Sequence, residues 1–483
     1  MSSVRPEPAA EPAAPSVPDN ARGVAGRAWP QRLSRWLAAC LPAWLPVAAL
    51  GNLVAKLLIV ALGLAITVVV ARQGPKVQGA FALFVAVESG LLTLFSGLGL
   101  WLARQMSQQG GRPSVRALPM LRGVLRAAVA LGLLAAAGLL AMSWGAQAMP
   151  YSQLWLLALG APFLLLVPTA TGLWLGEGRM WPINLAQVAA PAVVLAGLLG
   201  AWWLTQGAVR SAPVVLMVLT AWVSGKALVA VLTAIYALRH AARRDEALEV
   251  ALDEEGRPSR LEVFAQPAAR WQAQWPFIAT IGVTNVVSLL NYRASLFLVE
   301  RFHGLGAVGT YSVAVTVAEL LWLLSSSVTV SAYARIGHPD ARVAAAMTVQ
   351  AVRINVLATL LAAPVLLAGA WWALPWVLGA AYQASLLPLA ALLPGVAGYA
   401  AASSLSAFYT NHLGRPQLSG AIAGLSLAIS FGLGCWLVPR WGALGAGVSS
   451  SAGYLGAIVV AYGVFLKHAG LPVRALWTRA GQA

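Results

Sequence analysis

The chain has 483 residues, of which 59% are hydrophobic and only 10% charged, and its formal net charge is +17. That composition excludes a soluble globular domain. The surplus of 32 Lys and Arg over 15 Asp and Glu invites a nucleic-acid reading, but the basic residues gather in loops and at the ends of long apolar runs, so the charge is a topology signal and no nucleic-acid partner is expected.

Residues 1–28 are rich in Pro and Ala and carry no apolar run, which predicts a disordered tail. From Trp29 to Leu45, Arg32 and Arg35 precede Trp36, Leu37, Leu41 and Trp44. Pro42 and Pro46 interrupt this stretch, so it reads as a helix lying in the headgroup layer and not as a cleaved signal. Twelve apolar runs long enough to cross a bilayer follow, at about 47–70, 79–102, 121–145, 152–175, 181–205, 211–238, 275–299, 307–333, 349–374, 384–410, 416–438 and 440–466. The expected fold is all-α, because a span must satisfy its backbone hydrogen bonds internally. Arg104, Arg112, Arg116, Arg122 and Arg126 cluster on one side, as do Arg239, Arg243, Arg244, Arg257, Arg260 and Arg270. The opposite loops hold only Arg72, Lys76, Arg210, Arg301 and Arg440, which predicts a multi-pass protein of the bacterial inner membrane with both termini in the cytoplasm.

The second half repeats the first at an offset of about 230 residues. Glu88 and Arg104 are answered by Glu319 and Arg335, and Leu121-Arg122 by Val352-Arg353. Pro162 is answered by Pro394, Gly178-Arg179 by Gly414-Arg415, and Ser224-Gly225-Lys226 by Ala452-Gly453-Tyr454. Six spans per half is an even number, so both halves enter the membrane from the same side as parallel repeats facing each other across a central cavity. The expected organisation is a tail and interfacial helix over 1–46, a six-helix lobe over 47–238, a cytoplasmic linker over 239–270, a second lobe over 271–470 and a tail over 471–483. The linker mixes arginines with Asp245, Glu246, Glu249, Asp253, Glu254, Glu255 and Glu262, and reads as a solvated, partly helical connector.

Five ionisable residues fall well inside spans: Lys56, Glu88, Lys226, Arg293 and Glu319. Each costs about 2.5–3.5 kcal/mol at mid-membrane, so each is expected to face protein or a water-filled cavity. Asn52 precedes Lys56 by one turn, and Asn285 and Asn291 flank Arg293. Two readings stand side by side. In the first, cationic groups bind an anionic substrate, Arg through a bidentate fork and Lys as a point charge suited to phosphate. In the second, Arg293 pairs with Glu319 or Glu88 as interhelical glue while Lys56 and Lys226 snorkel to the membrane edge. No P-loop, HExxH or Cys/His cluster appears, and Cys40 and Cys435 stand far apart, so no metal, cofactor or enzymatic centre is expected.

Asn52-Leu-Val-Ala-Lys56 through Ala71-Arg-Gln-Gly-Pro-Lys-Val-Gln-Gly-Ala-Phe81 resembles the opening of bacterial polysaccharide-unit flippases of the multidrug/oligosaccharidyl-lipid/polysaccharide (MOP) exporter superfamily. The Gly-x-aromatic element recurs as Gly309-Thr-Tyr311, and Gly178-Arg179 and Gly414-Arg415 also look like that family. The resemblance implies two six-helix lobes and translocation of an undecaprenyl-pyrophosphate-linked oligosaccharide for O-antigen, capsule or exopolysaccharide. It further implies membrane lipid, a polysaccharide polymerase and a chain-length regulator as partners, and it fits Lys56 and Arg293 as cavity cations. The alternatives are a cation-coupled multidrug exporter of the same superfamily, in which Glu88 or Glu319 would bind the ion, and a polysaccharide polymerase or ligase.

Overall fold

The computed structural model describes residues 47–107, 116–205, 212–254 and 275–473. The expected N-terminal tail and interfacial helix, residues 255–270 of the expected linker and most of the expected C-terminal tail lie outside them. Every regular element among the described residues is helical. The first half folds as α1 (Val47–Ala71), α2 (Pro75–Leu94), α3 (Gly97–Ser107), α4 (Ala117–Gly145), α5 (Leu154–Leu164), α6 (Leu166–Gly176), α7 (Met180–Thr205) and α8 (Ala212–Glu254). The second half folds as α9 (Trp275–Glu319), α10 (Leu321–Ile336), α11 (Ala341–Leu378), α12 (Leu386–Tyr399), α13 (Ala402–Ala407) and α14 (Pro416–Ala469). The compact body of the chain begins at Ala55.

Among the described residues ten helical stretches are long and apolar enough to cross a membrane, and two of them, of 52 and 54 residues, are too long to cross once. A straight 54-residue helix would reach about 80 Å against a hydrocarbon core of about 30 Å. Both turn back at a glycine, α9 at Gly304 (φ 73, ψ −179) and α14 at Gly442 (φ 57, ψ −133). Backbone of this kind is costly for any residue with a Cβ. Counted leg by leg, the described residues offer twelve helical legs long enough to cross, six in each half. This is a multi-pass membrane protein built as two parallel six-helix repeats.

Four spans are broken, and they pair off by the repeat. The second span of each half is interrupted at Phe95–Ser96 and at Leu320, and the fourth at Leu165 and at Ala400–Ala401. Pro162 lies inside α5 and Pro394 inside α12, each shortly before its break. A proline frees and crowds the carbonyl four residues before it. The break at Leu165 is therefore accounted for by Pro168, which cannot donate to the Leu164 carbonyl, and not by Pro162, while Pro394 does not account for the break six residues beyond it. The breaks in the second spans carry no proline, and the one at Leu320 follows Glu319 directly.

Successive spans run in alternate directions between two ends of the bundle; the end at which α1 begins is called proximal and the other distal. Distal loops tie the lobes together. The Arg72 Nε donates to the Val377 carbonyl at 2.8 Å, the Tyr382 hydroxyl to the Ala71 carbonyl at 3.0 Å, and the Tyr151 hydroxyl to Glu300 Oε2 at 3.1 Å. Between these ties α2 crosses the second leg of α9 at backbone contact. A Cβ on Gly79 would stand 1.9 Å from the Leu305 carbonyl oxygen, and one on Gly309 would stand 1.9 Å from that of Pro75. Since Gly79-Ala-Phe81 corresponds to Gly309-Thr-Tyr311, the two lobes present the same surface to each other, as a pseudo-two-fold axis requires.

At the proximal end α8 runs on to Glu254, so residues 239–254 of the expected linker continue a helix of the first lobe. Asp245 accepts from the backbone amides of Ala117 at 2.8 Å and Leu118 at 2.9 Å, satisfying two of the amides that the start of α4 leaves without partners. Glu249 pairs with Arg116 at 2.6 Å, and His240 meets Glu177 at 2.8 Å. Composition suggested solvated charges here; several of them instead fasten α8 to the loops before α4 and α7.

Candidate functional site

Between the lobes lies a cavity of about 1020 Å³, lined from the first lobe by α1, α2, α3, α6, α7 and α8 and from the second by α9 and α10. Its walls are mostly apolar, with polar groups at a few points. Five of the sequence-expected site residues line it: Glu88, Lys226, Asn285, Arg293 and Glu319.

In the first lobe Glu88 is fully buried on α2. Lys226 Nζ donates to its Oε1 at 2.8 Å and Trp222 Nε1 to its Oε2 at 2.5 Å. Trp222 and Lys226 are four residues apart on α8 and so share a face, which places the ammonium 4.0 Å from the centre of the indole ring. Phe81 meets the same indole edge-on at 5.0 Å. The carboxylate is thereby held between a charge and a neutral donor inside an aromatic wall, the arrangement a buried anion needs.

In the second lobe the Arg293 guanidinium binds Glu319 through both ends of its fork, Nη1 to Oε1 at 3.0 Å and Nη2 to Oε2 at 3.3 Å. These side chains are 30% and 26% exposed, whereas Glu88 is 1% exposed, so the second pair is the wetter of the two. Glu88 and Glu319 correspond by the repeat, but their cations do not. Tyr454 stands where the repeat would put a counterpart of Lys226, and Arg293 comes from the first span of its half. Arg293 pairs with Glu319 as the second reading expected, whereas Lys226 pairs with buried Glu88 in place of snorkelling to the membrane edge, and both cations also face the cavity.

Asn285 Nδ2 donates to Ser96 Oγ of the other lobe at 3.1 Å. Lys56 is exposed on α1. It lies on the stripe that continues through Val60, Gly63 and Thr67, all of which line the cavity, but one turn proximal to them. Asn291 is buried at 4% exposure, lines no part of the cavity, and neither atom of its amide has a hydrogen-bond partner. Asn52 is half-buried on the opening turns of α1, ahead of the compact body. Sequence reasoning missed Gln78, which is buried, lines the cavity and donates to Ser312 Oγ across the axis at 3.3 Å. Its position directly before Gly79 in the crossing element was the available signal. Among the described residues no group of three or more His, Cys, Asp or Glu could hold a metal ion.

No protein-family model matches the sequence, and no curated protein matches it. Solved structures match its fold. An inward-facing multidrug resistance MATE family transporter of the MOP superfamily aligns with a TM-score of 0.61 at 17% identity, over 87% of this chain and 96% of that one. The lipid II flippase MurJ in an inward closed conformation aligns with a TM-score of 0.64 at 13% identity, over 88% of each chain. A MOP superfamily transporter from Pyrococcus furiosus, with a binding pocket of reverse polarity, aligns with a TM-score of 0.57 at 16% identity, over 89% of this chain and 95% of that one. The chain thus shares the fold of MOP superfamily transporters.

Proposed function

We propose that this chain is a flippase that moves polyprenyl-diphosphate-linked oligosaccharide, of the undecaprenyl type, across the bacterial inner membrane by alternating access, with both termini in the cytoplasm. It is a transporter and not an enzyme. One observation carries the reading: each lobe turns a cation toward a shared cavity and holds it there with a carboxylate. An empty site keeps such cations compensated, because an unpaired charge largely withdrawn from bulk water is costly. An anionic headgroup entering the cavity replaces the carboxylates as partner. Arg293 offers a phosphate its planar fork and Lys226 a point charge, while Lys56 on the same α1 stripe offers a further cation at the approach. The volume of about 1020 Å³ is at the upper end of small-molecule sites, which suits a diphosphate with attached sugars. The hydrocarbon chain stays in the lipid at the seam between lobes, and the polymerase and chain-length regulator take the unit afterwards.

A cation-coupled drug exporter on the same fold would need a carboxylate free to bind its ion, and Glu88 and Glu319 are each occupied by a cation of the protein itself. In the Pyrococcus furiosus transporter, reverse polarity of the binding pocket suggests a different function. That supports taking the charge of the cavity, and not the fold, as the guide to cargo. The test is the leaflet distribution of lipid-linked sugar units in cells carrying Arg293→Ala. Units should accumulate on the cytoplasmic leaflet and surface polymer should be lost, with folded protein at its normal level. Normal polymer export in that variant would exclude Arg293 from the substrate site.

A further inference from the structure

The second lobe contains a second cavity of about 350 Å³, set among the first legs of α9 and α14, α10, α12 and α13. It shares Trp322 with the central cavity, and Tyr292, on its wall, is the residue before Arg293. Its lining has no charged side chain. Instead Ser288, Ser325, Ser326, Ser403, Ser406 and Ser419 face it, together with the hydroxylated rings of Tyr292, Tyr399 and Tyr409. The rings form a cluster. Tyr292 meets Trp322 near edge-on at 4.9 Å, and Tyr399 lies 4.9 Å from Tyr454 and 6.3 Å from Tyr292.

The repeat shows that the fold does not require these hydroxyls. Pairing Glu88 with Glu319 sets Ser325 and Ser326 against Leu94 and Phe95. Pairing Gly178-Arg179 with Gly414-Arg415 sets Ser403, Ser406 and Ser419 against Val167, Ala170 and Ile183. Ala170 and Ile183 are buried in the hydrophobic core of the first lobe, with Phe95 and Val167 packed against it. At four of these five positions the first lobe packs apolar side chains where the second presents hydroxyls, the exception being Leu94, which is exposed. Most of the serine protons are spent locally: Ser288 donates to the Thr284 carbonyl at 3.1 Å, Ser326 to that of Leu323 at 3.0 Å, and one of Ser406 and Ser419 donates to the other at 2.9 Å. That leaves oxygen lone pairs as acceptors. The Trp322 Nε1–H is buried and has no acceptor at all, an unmet donor on the wall between the two cavities.

An anion would find no cation here, a cation no carboxylate, and an apolar ligand would strand the hydroxyls. A neutral polyhydroxylated ring, which donates and accepts around its edge and offers C–H faces to aromatic rings, satisfies all of them. We propose that this chamber is a saccharide subsite, which receives sugar of the lipid-linked unit while the diphosphate is held at Arg293. Its place in transport rests on the flippase reading above. Its ligand chemistry is argued from the chamber alone.

The test is saturation-transfer NMR on the full chain in lipid nanodiscs, with maltotriose, mannotriose and triacetylchitotriose as soluble probes. At least one should receive saturation from the wild type. Ala423→Phe, which fills the chamber, should abolish the effect, and Trp322→Phe and Ser419→Ala should each lower it at least about fivefold. Should Ala423→Phe fail to fold, the other two variants carry the test. No transfer to any of the three probes, or transfer unchanged in the variants, would overturn the subsite. The same preparations in liposomes are assayed for movement of a polyprenyl diphosphate trisaccharide. Transfer without movement would overturn the flippase reading and leave the subsite standing, and movement without transfer would overturn the subsite alone.

Discussion

Burial separates the two ion pairs and orders the cost of breaking them. Glu88 keeps 1% of its side chain exposed and Glu319 keeps 26%. Lys226→Met strands a buried carboxylate, which should cost about 3–5 kcal/mol, whereas Arg293→Ala leaves Glu319 access to cavity water and should cost clearly less. Adding Glu88→Gln to Lys226→Met should recover most of the loss, since a neutral amide needs no counter-charge. Thermal unfolding of the purified variants checks the ordering, and equal melting of Lys226→Met and Arg293→Ala would contradict it. The sequence disclosed these residues through their rarity in apolar spans, because insertion cost depends on residue type alone. It did not disclose which of them face one another, since that depends on the rotation of each helix about its axis. Asn291 lies two residues from Arg293, roughly 200° around the helix, and is buried away from the cavity. Gln78 was passed over because an uncharged side chain near a span end raises no such alarm.

Helices and their interruptions had different signals. Apolar length alone placed the spans, because lipid leaves backbone groups no partners outside the helix. The break at Leu165 has a marker in Pro168 just beyond it, but those at Phe95–Ser96, Leu320 and Ala400–Ala401 have none. Two glycines test separate physical limits. Gly304 has open space where a Cβ would go but an extended positive-φ backbone, so Gly304→Ala should fold with a loss of about 1–3 kcal/mol. Gly79 meets a carbonyl oxygen at 1.9 Å, so Gly79→Ala must push α2 away from α9 and should cost more. Moving the helices apart for Gly79→Ala also makes room at Gly309. The double variant Gly79→Ala, Gly309→Ala should therefore lose less than the sum of the singles, by at least about 0.5 kcal/mol. Additive losses in thermal unfolding would mean that the two contacts are not one crossing.

At the scale of the molecule, duplication was legible because corresponding residues keep their order, yet the halves have been put to different uses. Equivalent carboxylates recruit cations from non-equivalent spans, and one lobe encloses a hydroxyl-lined chamber where the other packs a core. Alternating access on such a frame requires the distal contacts to open, and the bonds that must part are Arg72–Val377, Tyr382–Ala71 and Tyr151–Glu300, beyond the glycine crossing. A hydrogen bond contributes about 0.5–1.5 kcal/mol net, and more when one group is charged. Removing two of them with Arg72→Ala and Tyr382→Phe should therefore favour the distally open state by about 1–4 kcal/mol, a shift of roughly fivefold to several hundredfold in its population. Ser312 lines the cavity below the crossing, so a cysteine there reports distal opening. With Ser312→Cys in a background lacking Cys40 and Cys435, an impermeant maleimide applied from the distal face should label the doubly weakened chain at least about fivefold faster than its parent. Labelling from the proximal face should slow in step, because one population is gained at the expense of the other. Faster labelling from both faces would mean that the substitutions loosened the lobes generally, and that these bonds do not set the balance between two states.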